Sequence, residues 1–208
     1  MPFHRRSAGA GEGCGPRASG AELWASEANA DVIARGGKDD PSVIYRPYRL
    51  MARMGIADFD YSPPQIDHRV QDGETVRLGS LALTAHITPG HSPGCTTWTF
   101  TVRDDGRDLH VVRRCNLDVP YTASLVDPQR PPGVRADFEQ SFRTLRHLPV
   151  DIWLSARGRE YGRYRKYQDS LTAKDPVAPF IDPKGYFDSI DRAEATVHAL
   201  IATQTRSR

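Results

Sequence analysis

The stretch Leu81–Thr101, LALTAHITPGHSPGCTTWTFT, constrains the fold more than any other part of the chain. Leu81, Leu83, Ala85 and Ile87 alternate with Ala82, Thr84, His86 and Thr88. A period of two predicts a strand with one buried face. Pro89 lacks a backbone donor and Gly90 admits positive φ, so the strand stops there. His91 is thereby delivered on a tight loop at a strand end, where a side chain enters a cleft rather than the core. Such a histidine serves as a metal ligand or proton carrier, but a metal site needs three or four donors.

The surrounding chain reads as one domain. Its 208 residues suffice for a single core, and 38% hydrophobic with 26% charged residues indicates a globular chain on the polar side. A net charge of +2 gives no global pull towards nucleic acid. No run of eighteen apolar residues predicts a membrane span. MPFHRRSAGAGEGCG has no apolar core of a secretory signal, so the chain as written reads as cytoplasmic. Cys14, Cys95 and Cys115 are widely spaced without a CxxC pair, which argues against a disulfide framework and a cysteine zinc knuckle.

Residues 1–20 carry no apolar period and are expected to be irregular, leaving residues 21–208 as the domain. Ala21–Ala25 predicts a short strand, and Ser26 an N-cap for a helix over Glu27–Ala34 ending at Gly36 and Gly37. Lys38–Pro64 is proline- and tyrosine-rich and reads as a loop. Thr75–Leu78 pairs with Leu81–Thr88 about Gly79–Ser80, and Thr96–Val102 with Leu109–Val112 about Asp104–Gly106. Phe138, Phe142, Leu145 and Leu148 mark an amphipathic helix over Ala136–Leu148. Ile152–Leu154 is a buried strand, so a strand–helix–strand order predicts an α/β layer. Asp182 caps a last helix opened by Pro183, with Tyr186, Ile190, Val197, Leu200 and Ile201 on its apolar face.

HITPGHSPGCTTW resembles the histidine loop of the metallo-β-lactamases, especially their third subclass. WASEANADVIARGGKDDP before it and PGVRADFEQSFRTLRHLPVDIWL after it are similar to that subclass in order and spacing, so the resemblance covers roughly Ala18 to Gln204. It implies an αββα sandwich and zinc-dependent hydrolysis of a β-lactam amide, an antibiotic-resistance activity of proteins usually exported. It makes His91 a ligand of the first zinc. The family's HxHxDH, however, falls where this chain has HRRSAGAGEGCG, and the family's preceding strands have no counterpart in these 208 residues. The expectation is therefore a partial, N-terminally truncated sandwich. Its unpaired sheet edge and uncovered apolar surface favour self-association.

The last histidine of the second zinc matches Arg157, in LSARGREYG. A guanidinium stays protonated and has no lone pair for a metal. VVRRCNLDVP resembles the stretch beside the second metal and offers Cys115, Asn116 and Asp118. With Arg157 these are the candidate substrate-pocket residues. Cys115 is either a thiolate ligand or a small buried side chain. His86 is either a ligand or a hydrogen-bonding residue of its strand, whereas His110, His147 and His198 read as surface or helix-face positions. Arg157–Tyr167 interleaves basic and aromatic residues as nucleic-acid surfaces do, although a solvated loop and helix start have the same composition.

The expected partner is accordingly a small β-lactam-like molecule, with no nucleic acid and no membrane. Three functions compete: a zinc-site-degenerate pseudoenzyme with little or no hydrolysis, a hydrolase whose single zinc site is rebuilt from His91, Cys115, Asp118 or His4, and a non-catalytic module that binds an anion through the tyrosine-lined loop and Arg157.

Overall fold

The computed structural model describes residues 20–37, 62–120, 123–127 and 132–206. In chain order its elements are β1 (Trp24–Ser26), α1 (Glu27–Ala34), β2 (His68–Val70), β3 (Thr75–Leu78), β4 (Leu81–Ile87), β5 (Thr96–Asp104), β6 (Arg107–Arg113), α2 (Val134–Arg146), β7 (Ile152–Leu154), α3 (Arg163–Ser170) and α4 (Pro183–Arg206).

Five strands form one sheet in the order β3-β4-β5-β6-β7, antiparallel up to β6. Gly79–Ser80 closes the first hairpin, with Leu78 opposite Leu81. Asp105 and Gly106, at φ of 45° and 78°, close the second. Both central residues have positive φ, the geometry whose twist matches that of the flanking strands. β7 then joins β6 in parallel after the α2 crossover. This is the α/β layer expected from the strand–helix–strand order.

Helices α2 and α4 cover β6 and β7. Phe138, Phe142 and Leu145 meet Tyr186, Ile190 and Val197 over Val112 and Trp153, all of them buried. Each large apolar side chain so buried contributes about 1.5–3 kcal/mol. The Tyr186 hydroxyl donates to the Leu145 carbonyl at 2.9 Å, which ties α4 to α2. Burial pushes this phenol well above its usual pKa, with Arg114 opposing. At the head of α4, the Asp182 carboxylate accepts from the Gly185 amide at 2.9 Å, as the predicted cap requires. It also receives the buried Lys166 ammonium at 2.7 Å.

Several boundaries differ from the sequence reading. β1 lies at Trp24–Ser26 instead of Ala21–Ala25, because it pairs in parallel with β2, a strand too short to carry a periodic signal. Trp24 stacks on His68 with ring centroids 4.0 Å apart. α1 has the predicted span, but Ser26 makes no side-chain cap. Its hydroxyl donates instead to the Gly94 carbonyl at 2.6 Å. α1 ends as predicted: the Gly37 amide donates to the Val32 carbonyl at 3.0 Å and the Gly36 amide to Ile33 at 2.9 Å, with Gly36 at φ 72°. These two bonds occupy carbonyls that the helix end leaves open. α2 begins at Val134, two residues ahead of its predicted start.

The clearest departure is covalent. Cys95 and Cys115 form a disulfide with Cα atoms 5.8 Å apart. The separation of 20 residues hid the pairing, because the antiparallel run of β5 and β6 returns the chain to its starting end. The expected irregular segment 1–19 and most of the loop Lys38–Pro64 lie outside the described residues. Among the described residues no helix is long and apolar enough to cross a membrane.

Candidate functional site

His91 stands on the loop between β4 and β5, and three contacts shape that loop. The buried Ser141 hydroxyl of α2 donates to the Pro89 carbonyl at 2.6 Å. Gly90 has φ 130° and passes so close to Phe138 that a Cβ would lie 2.9 Å from the ring. From the other side, Asn29 of α1 receives the Gly94 amide at 3.0 Å and donates to the Ser92 hydroxyl at 3.2 Å.

The imidazole is engaged on both nitrogens. Nδ1 donates to the Asp118 carbonyl at 2.7 Å, since a carbonyl can only accept. That fixes the neutral tautomer with a lone pair on Nε2, which the Asn116 side-chain amide approaches at 3.3 Å. The Asn116 orientation is set independently, because its Oδ1 accepts the Asp118 amide at 3.0 Å. A backbone carbonyl on one ring nitrogen is how a metal-ligating histidine is commonly oriented. Here the other nitrogen faces an amide donor.

Asp118 also receives the Arg157 guanidinium in an ion pair. Arg157 lies 3.9 Å from Glu160, which in turn accepts from Ser155 and from Arg114 Nη2, the latter at 3.2 Å. Arg114 is 4% exposed and lies against the Trp153 ring at 5.7 Å. Burial lowers its pKa, with Glu160 opposing, yet arginine stays charged. A cleft of about 490 Å³ opens beside these residues, lined by Asn116, Asp118, Arg157 and Glu160 on one wall and by α4 on the other.

Of the candidate site residues, the structure therefore gathers His91, Asn116, Asp118 and Arg157. Cys115 is held in the disulfide and has no thiolate to offer a metal. His86 accepts or donates at 2.8 Å with Thr99 on the neighbouring strand. His110 pairs with Asp151 at 3.0 Å, and His147 Nδ1 donates to the Arg143 carbonyl at 2.7 Å. His4 lies outside the described residues.

The sequence reading missed Arg114, Glu160 and Arg192. A signal was present: Ser189, Ala193, Thr196 and Leu200 recur at four, three and four residues, a second stripe beside the buried face of α4.

No protein-family model matches the chain. A probable metallo-hydrolase of Burkholderia pseudomallei (strain 1710b) is 40% identical over 95 residues, 44% of this chain and 32% of that protein. Human mitochondrial persulfide dioxygenase ETHE1 is 36% identical over 58 residues, 26% of this chain and 22% of that protein. The matched stretch thus spans a third or less of these relatives. Among solved structures, the Cronobacter sakazakii metallo-β-lactamase with a HARLDQ motif is 30% identical with a TM-score of 0.76, covering 93% of this chain and 70% of that one. Native FEZ-1 from Legionella gormanii is 28% identical with a TM-score of 0.78, covering 91% and 68%. BJP-1 of Bradyrhizobium japonicum, a subclass B3 enzyme, is 27% identical with a TM-score of 0.78, covering 92% and 67%. Fold and histidine loop define a metallo-hydrolase-type α/β protein. The chain belongs to the metallo-β-lactamase superfamily, with subclass B3 enzymes among its structural neighbours.

Zinc belongs to this family; one neighbour of the same fold is described as a class B3 di-zinc enzyme. Among the described residues, no three His, Cys, Asp or Glu side chains stand together as a metal-holding group. The groups near His91 are an amide and a carboxylate already paired with a guanidinium, which has no lone pair for a metal. These residues do not fit a zinc ion.

Proposed function

We propose that these 208 residues form a metallo-β-lactamase-fold protein with a degenerate zinc site and little or no β-lactam hydrolysis. The observation that carries this reading is the ion pair of Arg157 with Asp118 beside His91. By resemblance, Arg157 occupies the position of the second zinc's last histidine. A fixed positive charge repels a cation, and zinc hydrolysis requires a metal with an open coordination position. One solved relative supports the idea that ligand sets vary in this fold: its printed motif, HARLDQ, departs from HxHxDH at the third and sixth positions.

The rebuilt-site alternative loses Cys115 to the disulfide, and Asp118 would have to leave Arg157. For the compartment, the same disulfide favours an oxidising one. The partner in this reading is a small molecule rather than a nucleic acid.

The test is turnover of a chromogenic cephalosporin, with zinc added, by four proteins. These are the chain itself, Arg157→His, a graft with a family-like N-terminus bearing HxHxDH, and that graft with Arg157→His. No turnover is expected from the first two. The graft regains activity because His91 completes a first site, and Arg157→His raises it further. Appreciable zinc-dependent turnover by the unaltered chain overturns the proposal.

A further inference from the structure

We propose that the cleft between α4 and the Arg114–Val119 segment binds a small amphipathic oxyanion, a carboxylate or phosphate carried on an apolar body. This goes beyond the degenerate-zinc reading, since it concerns the arginine-rich side of the cleft and needs no metal.

Charge is the first argument. Arg114, Arg157, Arg159 and Arg192 line the cleft against only two carboxylates, Asp118 and Glu160. Asp118 is taken by Arg157 and Glu160 by Arg114. Among the described residues Arg159 and Arg192 have no ion-pair partner. With two of the four guanidinium groups paired, the cleft keeps two uncompensated positive charges for an anion to join, and Arg192 does weigh against the charge of Arg114.

Beneath the cleft lies an unfilled donor. Arg114 is 4% exposed, and its Nε–H is buried without an acceptor among the described residues. A buried donor left unmade costs about 1–3 kcal/mol, and with Nη1 on the Cys115 carbonyl and Nη2 on Glu160 this guanidinium stands behind the cleft as a fixed positive charge. The planar fork of arginine matches a carboxylate or phosphate with two parallel hydrogen bonds.

The shape of the cleft agrees. About 490 Å³ lies within the range of small-molecule sites. Leu117, Val119, Ala193 and Leu200 also line it, so the walls offer apolar surface next to the arginines. A purely inorganic ion would leave that surface unused.

Calorimetric titration of the intact chain with octanoate, octyl phosphate, 1-octanol and inorganic phosphate tests this. Octanoate or octyl phosphate, whichever head group fits, binds at least tenfold more tightly than 1-octanol and than inorganic phosphate, and raised salt weakens it. The tighter of the two acids identifies the head group. Arg192 is exposed, so Arg192→Met folds; it weakens binding about tenfold, and Arg192→Lys recovers part of the loss. Arg135→Met, on α2 and outside the cleft lining, leaves affinity unchanged. Equal binding of 1-octanol, no binding of either acid, or undiminished affinity in Arg192→Met overturns the proposal. Because no metal is added, this outcome is separate from that of the cephalosporin assay.

Discussion

The Arg157 guanidinium is ion-paired with the Asp118 carboxylate, and the carbonyl of that same aspartate takes the Nδ1 proton of His91. One residue thus orients His91 and neutralises Arg157. An incoming cation would have to displace the Asn116 amide from Nε2 and enter a cluster that already holds the positive charge of Arg157. Both steps oppose binding.

Purified protein is therefore expected to hold far less than one zinc per chain. One imidazole binds zinc weakly, whereas lasting sites use at least three protein ligands. Elemental analysis after dialysis against zinc measures this directly. A full equivalent that disappears in His91→Ala would show that residues outside this cluster complete a site.

The disulfide yields a second expectation. Closing a loop of 20 residues restricts the unfolded chain by about 3 kcal/mol in the loop-entropy picture. Reduction should lower the melting temperature markedly. It should also loosen the His91 loop against the Asn116 segment, since Cys95 and Cys115 border the two. Thiol titration of the denatured chain should find one free thiol before reduction and three after. Three thiols before reduction would remove the bridge and the stability argument with it.

Legibility in the sequence followed periodicity. β4, the two hairpins, α1, β7 and α4 were readable because alternation, glycine turns and the Asp182–Pro183 opening are local signals. β2 was not, because three residues show no period and its partner β1 lies more than forty residues away. His91 was readable from Pro89–Gly90, and Arg157 from the family pattern. Arg114 was hidden: beside Arg113 at the end of a strand it looks like any surface pair, and only the fold seats it against Trp153 and Glu160. Lys166 was equally hidden among the basic and aromatic residues of 157–167. There the structure buries one cation against Asp182 while leaving Tyr164 and Tyr167 exposed.

A pH dependence follows from His86. Burial depresses its pKa below 6.5, with Asp72 partly opposing, so the folded chain prefers it neutral. The unfolded chain takes up the proton first as pH falls. The stability His86 contributes is present above about pH 6.5 and is lost as pH falls towards its lower folded value. Carboxylates held low, such as Asp182, act only below about pH 4: burial would raise that carboxyl, but Lys166 and the Gly185 amide outweigh it. Between those limits His86→Gln should flatten the stability profile measured by urea unfolding. An unchanged slope in the variant would assign the dependence elsewhere.

The final prediction concerns Gly94, where α1 meets the histidine loop. Its carbonyl accepts from Ser26 Oγ and its amide donates to Asn29 Oδ1. A Cβ built there would lie 2.2 Å from Ser26 Oγ and 2.6 Å from the Asn29 side chain. Neither distance is tolerable, so Gly94→Ala must push α1 away from the loop, at a cost of about 1–3 kcal/mol. Ser26→Ala alone loses one buried hydrogen bond, about 1 kcal/mol. Because the serine hydroxyl is also the nearer obstacle, the double variant should be less destabilised than the sum of the two single ones. Asn29 still obstructs, so recovery is partial. Urea unfolding of the four proteins gives the coupling energy. Strict additivity would mean that α1 and the His91 loop do not meet through Ser26 and Gly94.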